Sequence, residues 1–268
     1  MAKAGVEVGK MRPISVPGAL WRPLRGTWME ALALVGGVAL WEMLGWLLAM
    51  PWLPPFSKVM EALVQFVQSG VILANVVVSL QGLAIGFSIS LVVGLLVGAL
   101  MGRYRRVEQA LHIYVHALFI SPSMIFAPIF FAIFGLSDAV RIAVIVVYSL
   151  FVIIINTTTA IRTVDPALVE MACSFGANER QIFVRILLPA SLPLVFAGIR
   201  LGMGRAVRGM INGEMFIAMV GLGALAQRYG SQFEASKAFA IAMVVLIIAL
   251  VCNWIVQTVE NSLTQWVD

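Results

Sequence analysis

His112 and His116 stand four residues apart, the helical spacing at which two imidazoles can share a metal ion. No cysteine, aspartate or further histidine joins them on that face. A closed site needs about four ligands, so the pair is expected to be packed or interfacial, with no metal. Gly9-Lys10 is the only Gly-Lys pair, and Met11 and Arg12 follow it. That is not the glycine-rich loop ending in Lys-Ser or Lys-Thr that cradles phosphates, so ATP hydrolysis by this chain is not expected. Cys173 and Cys252 give neither a disulfide framework nor metal spacing and read as small apolar residues. What remains is a group of charges in one apolar run: Arg200, Arg205, Arg208 and Glu214. Such groups meet ions or anionic solutes, or they tie helices together.

The elements that must position these charges follow from composition. The chain has 268 residues, 61% hydrophobic and 12% charged, with a mean hydropathy of +0.99. Soluble domains are about 45–50% apolar and about 25% charged. The excess is too large for a bigger core, and an all-α integral membrane protein is expected. The net charge of +5 would hint at nucleic acid in a soluble protein. In a membrane protein the placement of Lys and Arg matters more than their sum, and no nucleic-acid partner is expected. Residues 1–27 are basic, broken by Pro13, Pro17 and Pro23, and lack the apolar core of a cleaved signal. They are expected to be a cytoplasmic tail ahead of a transmembrane domain at 28–268.

Charge-poor runs place six spans, at 28–50, 75–101, 108–134, 139–161, 190–216 and 238–259. "PWLPP" at 51–55 ends the first, and 56–69 reads as a short amphipathic surface helix. Lys3, Lys10, Arg12, Arg22, Arg25, Arg103, Arg105, Arg106, Arg162, Arg180 and Arg185 fall on one side. Lys58, Arg141, Arg228 and Lys237 fall on the other. Positive charge stays in the cytoplasm, so both termini and the 162–189 loop are expected there. Gly82, Gly86, Gly94, Gly98 and Gly102 on the second span, with Gly198/Gly202 and Gly209/Gly213 on the fifth, have the spacing that lets helix backbones approach closely. Either static packing or a sliding surface would use it. Pro122 and Pro128 interrupt the third span; a simple kink and a broken, pathway-lining helix both remain open.

The 162–189 loop is polar but well punctuated. Asp165-Pro166 starts a helix, whose apolar stripe is Leu168, Met171–Ala172 and Phe175. Gly176 ends it in a left-handed turn. Asn178 and Gln181 have capping-box spacing for a second helix carrying Ile182, Phe183 and Ile186 and running toward Pro189. The result is a helix–turn–helix elbow whose apolar stripe needs a partner.

Glu170-Met171-Ala172, three residues, Gly176, nine residues, then Ile186-Leu187-Leu188-Pro189 resembles the signature E-A-A-x3-G-x9-I-x-L-P. That signature belongs to membrane subunits of binding-protein-dependent ATP-binding-cassette importers. The one departure is Met171, where the family usually has alanine. "LWEMLGW" (40–46), "FAPIFFAIFGLSD" (126–138), "AGIRLGMGRA" (197–206) and "GEMF…GLG" (213–223) resemble the nitrate/sulfonate/taurine branch. The likeness implies a type I importer permease with the elbow as coupling helix, in the bacterial cytoplasmic membrane. Glu170, Met171, Ala172, Phe175, Gly176, Ala177, Ile186 and Pro189 would then meet the ATPase. It further implies a second, expectedly identical permease subunit, two ATPase subunits that carry ATP and Mg, and an extracytoplasmic solute-binding protein. No cofactor is expected on this chain itself.

In the fifth span, Arg205 and Arg208 lie on neighbouring azimuths, while Glu214 lies opposite Arg205 and needs a partner from another span, Arg141 being one candidate. Arg208 and Asn212 share a face, and with Glu214, Pro122 and Met124 they are the candidate substrate-pathway residues. The cargo is expected to be a small anionic or sulfonate-like solute. The alternatives are a neutral heterocycle or vitamin precursor in the same importer class, or a stand-alone secondary transporter, which would need its own ion-coupling carboxylates at the midplane.

Overall fold

The computed structural model describes residues 27–217 and 219–263, and these are helical with no strand. The expected basic tail lies outside them except for Thr27, which opens α1 (Thr27–Leu48). α2 (Phe56–Gln68) is the expected amphipathic helix, and α3 (Val71–Arg103) the long second span. α4 (Arg105–Ile120), a 3-10 turn (Ser123–Ile125) and α5 (Phe126–Phe134) occupy the third. α6 (Asp138–Arg162) is the fourth. α7 (Pro166–Ser174) and α8 (Glu179–Ile182) make the elbow. α9 (Leu188–Ile217), α10 (Gly221–Ser231) and α11 (Ala235–Leu263) complete the described chain.

Among the described residues five helices are long and apolar enough to cross a bilayer, and a bent pair can make a sixth crossing. Of the two readings left open for the span at 108–134, the structure has the broken helix, with α4 and the following helices at 88°. Pro122 has no N–H to donate and pushes Ser121 out of helical geometry, to ψ 137. Pro128 falls in the first turn of α5, where a missing N–H costs nothing.

Glycines decide the packing. Along α3, positions 82, 86, 94, 98 and 102 meet positions 141, 145, 153, 157 and 161 of α6, a constant offset. Ser90 and Ser149 fill the one non-glycine step, with their hydroxyls 2.8 Å apart. A Cβ on Gly94 would stand 2.8 Å from Ile153, and one on Gly98 2.7 Å from Thr157, so only glycine admits the β-branched knobs of α6. The matched numbering means α3 and α6 run in the same direction, so α4 and α5 carry the chain back between them. On its other side α6 is gripped by α9 running the opposite way, through Gly198 on Asn156, Gly202 on Ile153 and Gly209 on Tyr148. The glycine faces are therefore tightly filled contacts. Dispersion at such close approach, rather than loss of water, is what holds helices together in lipid.

Two short devices tie the remaining elements on. Glu42 of α1 accepts from the Ser57 backbone N–H at 2.9 Å and from its hydroxyl at 2.8 Å, supplying the cap that Pro55 cannot give α2. Trp41 donates to the Pro54 carbonyl at 3.0 Å, so "LWEMLGW" is the joint between α1 and α2. α8 does not stop at Pro189: a wider π-helical turn over Phe183–Leu187 leads straight into α9, giving one helical run over Glu179–Ile217. Pro189 cannot bond four residues back, and slackening the ladder just ahead of it keeps the chain helical. The run has 39 residues. At ~1.5 Å per residue that is roughly 58 Å, about twice a ~30 Å hydrocarbon core, so the run is too long to lie wholly within the hydrocarbon.

Candidate functional site

The elbow forms as its punctuation predicts. The Asp165 carboxylate accepts from the Ala167 N–H at 2.9 Å. Asn178 and Gln181 exchange both capping-box bonds at 2.9 Å. Gly176 has φ +77, a left-handed conformation that a side chain resists. The Gly176 N–H donates to Cys173 and the Ala177 N–H to Ala172, closing the turn.

The apolar stripe divides differently from the expectation. Ala172 turns inward and forms a small core with Ile182 and Leu187, backed by Val169, Ala177, Phe183 and Ile186. Leu168, Met171 and Phe175 point away, and Phe175 is 85% exposed. The elbow thus stabilises itself with one face and offers the other. Glu170 and Gly176 are exposed on the offered side, while Ile186 and Pro189 are half-buried where the elbow joins α9. Arg103 reaches across from the end of α3 to Glu179 at 3.2 Å, and Arg162 pairs with Glu108 at 2.6 Å. Arg103, Arg162 and the elbow therefore gather at one end of the bundle.

The other end holds a buried polar site around Glu214, which is 1% exposed. Its carboxylate Oε2 accepts from the Ser79 hydroxyl and from the Gly223 N–H, each at 2.9 Å. Ser79 Oγ accepts from the Leu222 N–H at 2.9 Å, and Asn75 Oδ1 from the Gly221 N–H at 3.1 Å. Three of the N–H groups a helix start leaves unpaired are thereby satisfied by α3 and α9, and the carboxylate meets the positive end of the α10 dipole. Arg141 is buried beside this site, paired with Asp138 at 3.2 Å and donating to the Val78 carbonyl at 3.2 Å. The partners of Glu214 are a hydroxyl and a backbone amide; Arg141 acts on it through its field alone. Asn75 and Ser79 were not singled out in the sequence. Their signal is spacing: with Gly82 and Gly86 they continue the small and polar face of α3.

The candidate pathway residues do not come together in one chain. Glu214 lies inside the subunit, so it is not on an open face, and it cannot be the partner for Arg208 of a second copy without leaving this site. Asn212 is half-buried and donates to the Tyr148 hydroxyl at 2.8 Å. Arg208 is exposed and makes no hydrogen bond or ion pair among the described residues. Pro122 and Met124 are exposed at the break between α4 and α5. The other two arginines make structural contacts: Arg200 pairs with Glu260 of α11, and Arg205 lies 4.7 Å over the Phe119 ring. His112 and His116 are stacked, with ring centroids 3.9 Å apart.

A bundle of five apolar spans, six if the bent α4–α5 pair is one crossing, closed on glycine contacts and carrying a self-packed elbow at one end, has the form of a polytopic membrane protein. Residues 90–265 match the family model described as "Binding-protein-dependent transport system inner membrane component", and the chain belongs to that family. The formylaminopyrimidine transport permease protein ThiX of Halalkalibacterium halodurans is 28% identical over 231 residues, 85% of this chain and 92% of that protein. The Escherichia coli K12 protein provisionally named aliphatic sulfonates transport permease SsuC is 35% identical over 195 residues, 72% of this chain and 74% of its own length. Among solved structures, the inward-facing methionine ABC transporter MetNI aligns with a TM-score of 0.58 at 19% identity, covering 76% of this chain and 97% of that one; this likeness concerns the fold. The protein is an ABC importer permease subunit, a transport component and not an enzyme.

Proposed function

We propose that this subunit, paired with a second and identical copy, forms the substrate pathway of an ATP-driven importer and takes its drive through the elbow. The single observation that carries this is the outward face of α7: Leu168, Met171 and Phe175 are exposed on an element whose own core is already complete. Such a face on a stable elbow suits the cleft of a separate ATPase, two copies of which would bind in the cytoplasm beneath the pair. A solute-binding protein would dock at the opposite end. ATP and Mg would stay on the ATPase. The cation distribution supports a cytoplasmic elbow and cytoplasmic termini.

Cys173 is exposed on α7 and allows one experiment to test both orientation and docking. With Cys252 replaced by alanine, a membrane-impermeant maleimide should label Cys173 in inverted vesicles and not in right-side-out ones. Added ATPase subunits should slow the labelling. Labelling from outside would overturn the orientation, and labelling unaffected by the ATPase would overturn the docking. Uptake that persists in vesicles without any ATPase would mark a secondary transporter instead.

For cargo we propose a small anionic or sulfonate-like solute. Arg208 is an exposed guanidinium in the membrane-spanning part of α9, and its planar array of donors matches carboxylate or sulfonate oxygens. A charge-assisted hydrogen bond contributes about 1.5–3 kcal/mol, so Arg208→Gln should weaken anion uptake roughly 10- to 100-fold while the melting temperature holds. Loss of stability without any change in selectivity would mark Arg208 as a structural pair across the dimer. Uptake of a neutral heterocycle unaffected by Arg208→Gln would favour the vitamin-precursor type of cargo.

A further inference from the structure

We propose that the groove between the end of α3 and the start of α8 is a binding site for one anionic phospholipid. The groove encloses about 460 Å³; Leu96, Ala99, Leu100 and Phe183 form its apolar floor, and Arg103 and Arg180 stand at its rim. Above the floor the face of α3 stays apolar and exposed through Ile89, Val92, Leu96 and Leu100. From Ile89 to Leu100 is eleven residues (100 − 89). At ~1.5 Å each they span roughly 16 Å, close to half of a ~30 Å hydrocarbon core. The stripe is therefore one leaflet deep and ends at cations, the profile of an acyl chain running down to a phosphate.

The rim charge agrees. Glu179 is its one carboxylate and is already paired with Arg103. Arg180 is exposed with no ion pair among the described residues, and Arg105 and Arg106 are exposed just beyond Tyr104. Cationic pockets between spans are a recurrent way of holding anionic headgroups. A free anion has no use for the stripe, and a soluble partner cannot follow it a leaflet deep. The site rests on the membrane location of the chain and is independent of the ATPase and cargo readings.

The full-length protein, purified in detergent and stripped of lipid, should be titrated with phosphatidylglycerol or phosphatidylcholine, and bound lipid counted by native mass spectrometry. Phosphatidylglycerol should be retained at one per chain and phosphatidylcholine washed out. Arg180→Gln should weaken retention about fivefold, the effect of one cation near an anionic surface, without altering the melting temperature. Glu179→Gln should strengthen it, an increase that a purely structural Arg103–Glu179 pair does not foresee. Ala99→Trp should fill the groove and abolish retention. Equal retention of the two lipids, weaker retention in Glu179→Gln, or displacement by an equal concentration of inorganic phosphate would overturn the site.

Discussion

Phe175→Ala should leave the permease folded and inserted and yet all but remove ATP-driven uptake. The side chain is 85% exposed and takes no part in the elbow core, so truncation costs the fold little. At an interface, an aromatic anchor in a partner's pocket is typically worth 2 kcal/mol or more, and ~2 kcal/mol is about a 30-fold loss of affinity. Gly176→Val reaches the same readout by another route. Its φ of +77 costs a side-chain-bearing residue roughly 1–2 kcal/mol, and no atom stands within 4 Å of the new Cβ. The penalty is therefore in the backbone of the turn, which should open and tilt α7 away from its docking angle. The measurement is ATPase activity stimulated by the binding protein, together with uptake, in proteoliposomes. Full activity and full uptake in Phe175→Ala, Gly176→Val and Glu170→Ala would rule out the elbow as the coupling element.

Gly221→Ala should be strongly destabilising for the addition of a single methyl group. Gly221 has φ +86, and its Cβ would fall 2.3 Å from the Glu214 carboxyl carbon and 2.4 Å from Oε2. Left-handed strain contributes about 1–2 kcal/mol. Glu214 must also move away from Ser79 and Gly223, and a buried polar group left without its partners costs about 1–3 kcal/mol more. α10 should detach from α3 and α9, giving rapid amide exchange over Gly221–Ser231 and a fall in melting temperature. Gly204→Ala is the matched control, because nothing lies within 4 Å of its Cβ. Equal melting of the two variants would show that Glu214 does not hold α10.

What could be read from sequence was local. Asp165-Pro166, Gly176 and the Asn178/Gln181 pair act within a few residues of themselves, and each does in the structure what its chemistry dictates. The long apolar runs likewise gave their spans. α10 was missed because glycines at 221, 223 and 230 interrupt a short run of helix formers; its start is held by Asn75 and Ser79, more than 140 residues away. The break at Ser121–Pro122 and the continuity through Pro189 show the same limit from two sides. Both sites contain a proline, and only the surrounding packing decides whether the chain breaks or slackens its ladder and continues. The elbow stripe was seen but not divided, since helical spacing cannot say that Ala172 closes the elbow while Phe175 leaves it.

The parallel pairing of α3 and α6 also sets an order of biosynthesis. α6 cannot find its groove until α4 and α5 have brought the growing chain back through the bilayer, and it then meets only the α3 side of its eventual grip. Arg141 enters with a counter-ion three residues away, since Asp138 travels on the same helix. The cation is thus partly neutralised before α9 has left the ribosome. Glu214 arrives later and finds Ser79 already in place, and the Gly223 backbone amide that shares its Oε2 follows nine residues behind. Arg141 and Glu214 are therefore each synthesised next to, or after, a group that makes insertion tolerable, whereas Arg200 meets Glu260 only once α11 has been made.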